Sequence, residues 1–144
     1  MEKFFMKKRL DEKGKEIEKY LEELASCTPE TIEEYTQDYK SKAACERYFE
    51  KIIEAIVDLG FLVIKEKNLR TPEDDKEIFD ILCDNKIISL PLAERLKDAK
   101  GMRNILAHQY GIVDDEKVFQ GITRELSEDA EQFLVSLKKS RKPQ

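Results

Sequence analysis

Tryptophan is absent from this sequence of 144 residues, glycine is limited to five positions and proline to four. With 40% of the residues charged, this composition favours long helices over a sandwich or barrel. Cysteine is also scarce. Cys27, Cys45 and Cys83 are an odd number at wide spacing, which is neither a disulfide framework nor a zinc knuckle. Free thiols of this kind act as small buried hydrophobes and suit a reducing compartment. There is one histidine, His108. Catalytic zinc normally takes three protein ligands, mostly histidine, so the chain makes a poor zinc enzyme. No GxxxxGK[ST] loop, no GxGxxG after a strand and no GxSxG elbow occurs, which argues against nucleotide-loop enzymes and serine hydrolases. No stretch approaches the ~18 apolar residues of a membrane span. The start, Met1 to Leu10, is basic but has no long apolar run, so it does not read as a signal peptide. The expectation is a soluble, cytoplasmic protein with no cofactor, no metal and no membrane contact.

The length fits a single domain over 1–144 that can bury roughly two-thirds of its unfolded surface without metal or disulfide. The net charge is −5, which argues mildly against a general nucleic-acid binder. Local clusters matter more for a small site. Lys97, Lys100 and Arg103 share one segment, and Lys138, Lys139, Arg141 and Lys142 close the chain as a solvated helix end.

Sparse punctuation divides the chain into helices. Leu10, Ile17, Tyr20, Leu21 and Leu24 recur at helical spacing over about 8–25. Thr28-Pro29-Glu30 reads as an N-cap with proline in the first turn, starting a short helix to Tyr35. The segment of about 36–67 carries Tyr39, Ala43, Ile52, Ile56, Leu59 and Val63 at threes and fours, widened by Ile53, Ala55 and Ile64. A face that broad can serve both the core and a dimer contact. Thr71-Pro72-Glu73-Asp74 repeats the start signal for a helix of about 72–84. Ser89-Leu90-Pro91 precedes a helix of about 91–108, Gly111 ends that stretch, and Asp114 caps a last helix of about 115–139. The fold class expected is all-α, an antiparallel bundle of four to five main helices.

The segment from Leu92 onward carries the chemistry. At about 100° per residue, Leu92, Leu96, Ala99 and Leu106 all fall within about 60° of Arg103. Arg103 thus interrupts an apolar stripe, where an arginine is costly unless it is paired or faces a site. Asn104 and His108 lie one turn apart at the edge of that stripe. Histidine titrates near neutrality and exchanges protons. Arginine presents a charged planar fork to phosphate. Together they suit phosphodiester cleavage, with activation of an RNA 2′-hydroxyl and stabilisation of the pentacovalent phosphate. On residue types alone the signal is weak, because a lone histidine at a helix end is more often structural.

At these residues the chain resembles a known family. Arg103-Asn104-Ile105-Leu106-Ala107-His108-Gln109-Tyr110 matches the R-x4-H-x-Y motif of HEPN ribonuclease toxins, and it looks like the HepT branch, partner of minimal nucleotidyltransferase (MNT) antitoxins. The long helix with Glu46, Glu54 and Asp58, the Thr71-Pro72 step, Ile87-Ile88 followed by Leu92-Ala93, Lys100-Gly101-Met102 and Asp114-Asp115…Val118 extend the likeness from about Lys42 to Leu137. The resemblance implies a helical bundle that forms a homodimer and brings two motifs face to face. It implies a toxin-type, metal-independent endoribonuclease, with Arg103 and His108 catalytic and Asn104 supporting. It also implies a cognate nucleotidyltransferase antitoxin that adenylylates Tyr110. The residues support one part independently. Cleavage of RNA wants both a base and an acid, each chain has one histidine, and a two-fold dimer supplies two. Two other readings stay open: a non-catalytic helical module that only docks a nucleotidyltransferase, and an unrelated scaffold in which Arg103 is salt-bridged to Asp98 or Glu94.

Overall fold

The structure is a computed structural model that describes residues 2–108 and 113–141, with side chains from Phe5 onward. It is all-helical among the described residues: α1 (Glu2–Cys27), α2 (Ile32–Gln37), α3 (Tyr39–Glu66), α4 (Asp75–Asp84), α5 (Leu90–His108), α6 (Asp115–Gln120) and α7 (Leu126–Arg141). A π-helical turn, Gly121–Glu125, joins α6 to α7, so the last expected helix is one rod with a single widened turn. Five main helices and the short α2 match the sequence expectation.

The helices α2, α3, α4 and α6 each start where a side chain accepts an orphan backbone N–H. Asp38 accepts from the N–H groups of Lys40 and Ser41 to open α3, and Asp114 accepts from Lys117 N–H to open α6. Two expected caps are displaced. Thr28 closes α1 instead of opening α2, because its hydroxyl donates to the Leu24 carbonyl at 2.6 Å. Thr31 caps α2, accepting from Glu34 N–H, with Glu33 and Glu34 in the first turn. Thr71-Pro72 likewise precedes α4, and Asp74 is its cap, accepting from Glu77 N–H at 2.9 Å. Asp74 brings both a carboxylate acceptor and acidic neighbours that favour the helix N-terminus.

The centre of the bundle is α3. Its buried positions run from Cys45 to Ile64 and cover most of its circumference. The helix packs against α1, α2, α4 and α5. The wide apolar face expected to serve both core and dimer is therefore consumed by the chain's own helices. Leu10, Ile17 and Leu24, one every two turns, seat α1 along it. The approach of α4 is closest at Gly60, where an added Cβ would lie 2.7 Å from Ile78 Cγ2. Phe79 of α4 meets Phe133 of α7 edge-on, with ring centroids 6.2 Å apart. Arg95 ties α5 to α7, its Nε donating to buried Asp129 at 2.8 Å and its Nη2 to Gln132 at 3.0 Å.

Candidate functional site

The last two turns of α5 hold the motif residues. Leu106 is buried and anchors the turn; Arg103 and Asn104 are half-buried; His108 is exposed at the final residue of the helix. The apolar stripe expected around Arg103 is present, with Leu92, Leu96 and Leu106 all buried. Tyr110 lies outside the described residues, so the structure describes three of the four residues that the sequence singled out.

Arg103 is paired within its own chain. Its Nη2 donates to Glu54 Oε1 of α3 at 2.5 Å, and its Nη1 donates to Asn104 Oδ1 at 3.4 Å. The arginine side chain is 19% exposed and the glutamate 39%. Its Nε is buried and has no hydrogen-bond partner. The expected alternatives, Asp98 and Glu94, are both exposed and neither pairs with it. The cost of an arginine on an apolar stripe is thus met by an acid from the neighbouring helix. Glu54 was legible in principle, as the one charged residue in Ile52-Ile53-Glu54-Ala55-Ile56-Val57.

The other cations of α5 are also neutralised. Lys97 Nζ lies 2.9 Å from Asp80, and the buried Lys100 lies 3.2 Å from Asp75. The cluster of Lys97, Lys100 and Arg103 is therefore not an open basic patch. At the chain end, Arg141 pairs with Glu66, while Lys138 and Lys139 are solvated as expected.

A second polar group stands where the chain resumes after the motif. Lys42 of α3 lies 3.0 Å from Asp115 Oδ1 at the start of α6. That oxygen makes no well-directed hydrogen bond, so the contact is one of charge. Tyr35 is fully buried beneath α6, its ring 5.2 Å from Phe119 and its hydroxyl unpartnered. Burial first, and then the nearby Glu46, push the Tyr35 hydroxyl well above its ordinary range. Burial also holds the Glu46 carboxyl above the usual carboxylate range; Asp115 and Glu50 reinforce this and Lys42 opposes it. The described residues on either side of 109–112 are thus each tied to α3, by Arg103–Glu54 before and Lys42–Asp115 after.

Among the described residues, no group of three or more His, Cys, Asp or Glu side chains is placed to hold a metal ion, and no helix is long and apolar enough to cross a membrane.

A helical bundle that ends one helix in an R-x4-H motif fits the HEPN resemblance that the sequence carries. The chain belongs to the ribonuclease HepT-like family, whose model matches residues 17–137. That match begins well before Lys42 and takes in α2 and the C-terminal part of α1. The chain is 28% identical over 105 residues to the mRNA nuclease HepT of Shewanella oneidensis, covering 73% of this chain and 78% of that protein. It is 24% identical over 107 residues to the tRNA nuclease HepT of Aphanizomenon flos-aquae, covering 74% and 73%. The fold matches the tri-AMPylated Shewanella oneidensis HEPN toxin solved in complex with its MNT antitoxin. The TM-score is 0.85 at 24% identity, over 90% of this chain and 96% of that one.

Proposed function

We propose that this chain is the toxin of a toxin–antitoxin pair, a cytoplasmic, metal-independent endoribonuclease that works as a homodimer and uses Arg103 and His108. The observation that carries the proposal is the placement of Arg103. It is a half-buried guanidinium at the rim of the bundle, held by Glu54 and Asn104, with exposed His108 little more than one turn further along. A charged fork held in place needs little reorganisation when negative charge builds on a phosphate. His108 of one protomer accepts the proton of the RNA 2′-hydroxyl. The 2′-oxygen attacks phosphorus, the bond to the 5′-oxygen breaks, and the second protomer's histidine protonates the leaving oxygen. The products are a 2′,3′-cyclic phosphate and a 5′-hydroxyl. Exposed Ile105 beside the motif suits the contact between two such ends.

In this proposal a cognate nucleotidyltransferase silences the toxin by adenylylating Tyr110. The tyrosine oxygen attacks the α-phosphorus of ATP and pyrophosphate leaves. The added phosphodiester brings negative charge beside Arg103, the group meant for the RNA phosphate. The two relatives named as nucleases differ in target, mRNA for one and tRNA for the other. The proposal accordingly names RNA and no class within it.

Purified protein should cleave RNA with a chelator present. Arg103→Ala and His108→Ala should each lose about 10²–10⁴ in rate while circular dichroism stays helical. Unchanged cleavage in either variant, in preparations cleared of contaminating nucleases, removes that residue's role. Sedimentation should give a dimer at tens of micromolar; a monomer there counts against the composite site. With the partner, ATP and Mg²⁺, mass spectrometry should place AMP on Tyr110, with Tyr20, Tyr35, Tyr39 and Tyr48 as internal controls. AMP on those four alone, or a Tyr110→Phe variant still silenced covalently, refutes the modification.

One observation favours a docking module without catalysis. Arg103 is already neutralised by Glu54, in a chain of net charge −5. The same nuclease assay on the isolated protein separates the two readings.

A further inference from the structure

Cysteines far apart in sequence meet where α1 ends against α3. The thiols of Cys27 and Cys45 lie 4.0 Å apart, 18 residues apart along the chain. Cys45 is fully buried. Cys27 is half-buried and helps line an open surface hollow with Thr28, Pro29, Glu34, Gln37 and Tyr39. The two thiols therefore differ in access: a small oxidant reaches Cys27 from solvent, while Cys45 waits behind it. The polar contacts around them are weak and local. Cys27 Sγ donates to the Leu24 carbonyl at 3.4 Å, Cys45 Sγ donates to the Cys27 carbonyl at 3.8 Å, and Thr28 Oγ1 stands 3.7 Å from Cys45 Sγ. Cys27 is the last residue of α1 and is followed by coil before α2, so a modest side-chain rotation there can bring sulfur to bonding range of sulfur, about 2 Å. Cys83 sits on α4 and takes no part in this contact.

We propose that Cys27 and Cys45 are a thiol–disulfide pair, with Cys27 the thiol that a peroxide oxidises and Cys45 the thiol that closes the bond. In the first step the Cys27 thiolate attacks one oxygen of hydrogen peroxide. The O–O bond breaks, hydroxide leaves and Cys27 becomes a sulfenic acid. In the second step Cys45 sulfur attacks Cys27 sulfur. The S–O bond breaks and the oxygen leaves as water with the proton of the Cys45 thiol. In total, two thiols and one peroxide give one disulfide and two waters. A small dithiol reverses the change by exchange. The bond ties the C-terminal end of α1 to α3 one residue before Glu46 and closes a short loop, which restricts the unfolded chain. Burial raises the Cys45 thiol to about 11, so closure of the bond quickens as pH rises from neutral.

The test oxidises the full-length protein with hydrogen peroxide and maps the products by intact and peptide mass spectrometry. The expected result is loss of two hydrogens, a Cys27–Cys45 linked peptide reversed by dithiothreitol, and a Tm higher by about 5–10 °C. Cys83→Ser should behave as the wild type. Cys45→Ser should stop at the sulfenic acid of Cys27, trapped by dimedone. Closure should run faster at alkaline than at neutral pH. The proposal is overturned if Cys27 and Cys45 both remain alkylatable after peroxide, if the only disulfide formed uses Cys83, or if Cys45→Ser still closes an intramolecular bond. Where a variant does not fold, the peptide map of the unaltered protein decides.

Discussion

Replacing Glu54 by glutamine removes one negative charge and keeps the side chain's length and an acceptor oxygen. Glu54 is the group that fixes Arg103, and in the proposed site it would compete with an RNA phosphate for the same guanidinium. The pair is only partly buried, with Arg103 at 19% and Glu54 at 39% exposure. Its loss belongs between a surface pair and a buried one, about 1–2 kcal/mol, which lowers Tm by a few degrees. The binding effect has the opposite sign. A phosphate bound on the outer side of the guanidinium sits about 6 Å from the glutamate charge. At an effective dielectric of about 40–80 the repulsion is about 0.7–1.4 kcal/mol. Removing it tightens binding about 3- to 10-fold. The assay is fluorescence anisotropy with a 2′-O-methyl RNA, which lacks the attacking hydroxyl and is not cleaved. The gain should appear at low salt and shrink as salt is added. A Glu54→Gln protein that melts within a few degrees of the wild type yet binds no tighter at low salt would falsify the idea that Glu54 and RNA phosphate share Arg103.

Two further outcomes follow from the packing and the charges. Gly60→Ala forces a methyl group against Ile78 at 2.7 Å in the α3–α4 contact, and overpacking should cost about 1–3 kcal/mol by urea denaturation; an unchanged midpoint means that α4 yields freely. Glu46 is held above its ordinary 4.5 by burial, so its contribution to stability is fullest below 4.5 and is lost as pH rises through its folded value. Glu46→Gln should therefore melt higher than the wild type near neutral pH, with the gap closing toward about pH 4; a Tm difference independent of pH rules out that titration.

Much of this protein was legible residue by residue. Leu10, Ile17 and Leu24 repeat at helical spacing and are buried; Asp114 accepts the N–H of the turn it begins; Leu92, Leu96 and Leu106 form the stripe that Arg103 interrupts. These are local matters, set by a 3.6-residue period and by side chains that reach two or three residues along their own backbone. The R-x4-H pattern is local too, which is why the sequence placed its residues at one helix end.

Local rules stop short where two segments compete or meet. Thr28 and Thr31 both look like caps, and which one opens α2 depended on Thr28 already serving the end of α1. The broad apolar face of α3 reads alike whether a partner protomer or the chain's own α1, α4 and α5 cover it. Arg103 finds its acid 49 residues away and Cys27 finds Cys45 18 residues away. Periodicity tells which side of a helix is apolar, but not which helix lies against it or at what height. The sequence alone determined the helices and the residues able to do chemistry. Only the tertiary structure, by the relative depth of α3 and α5, decided that Arg103 would answer to Glu54.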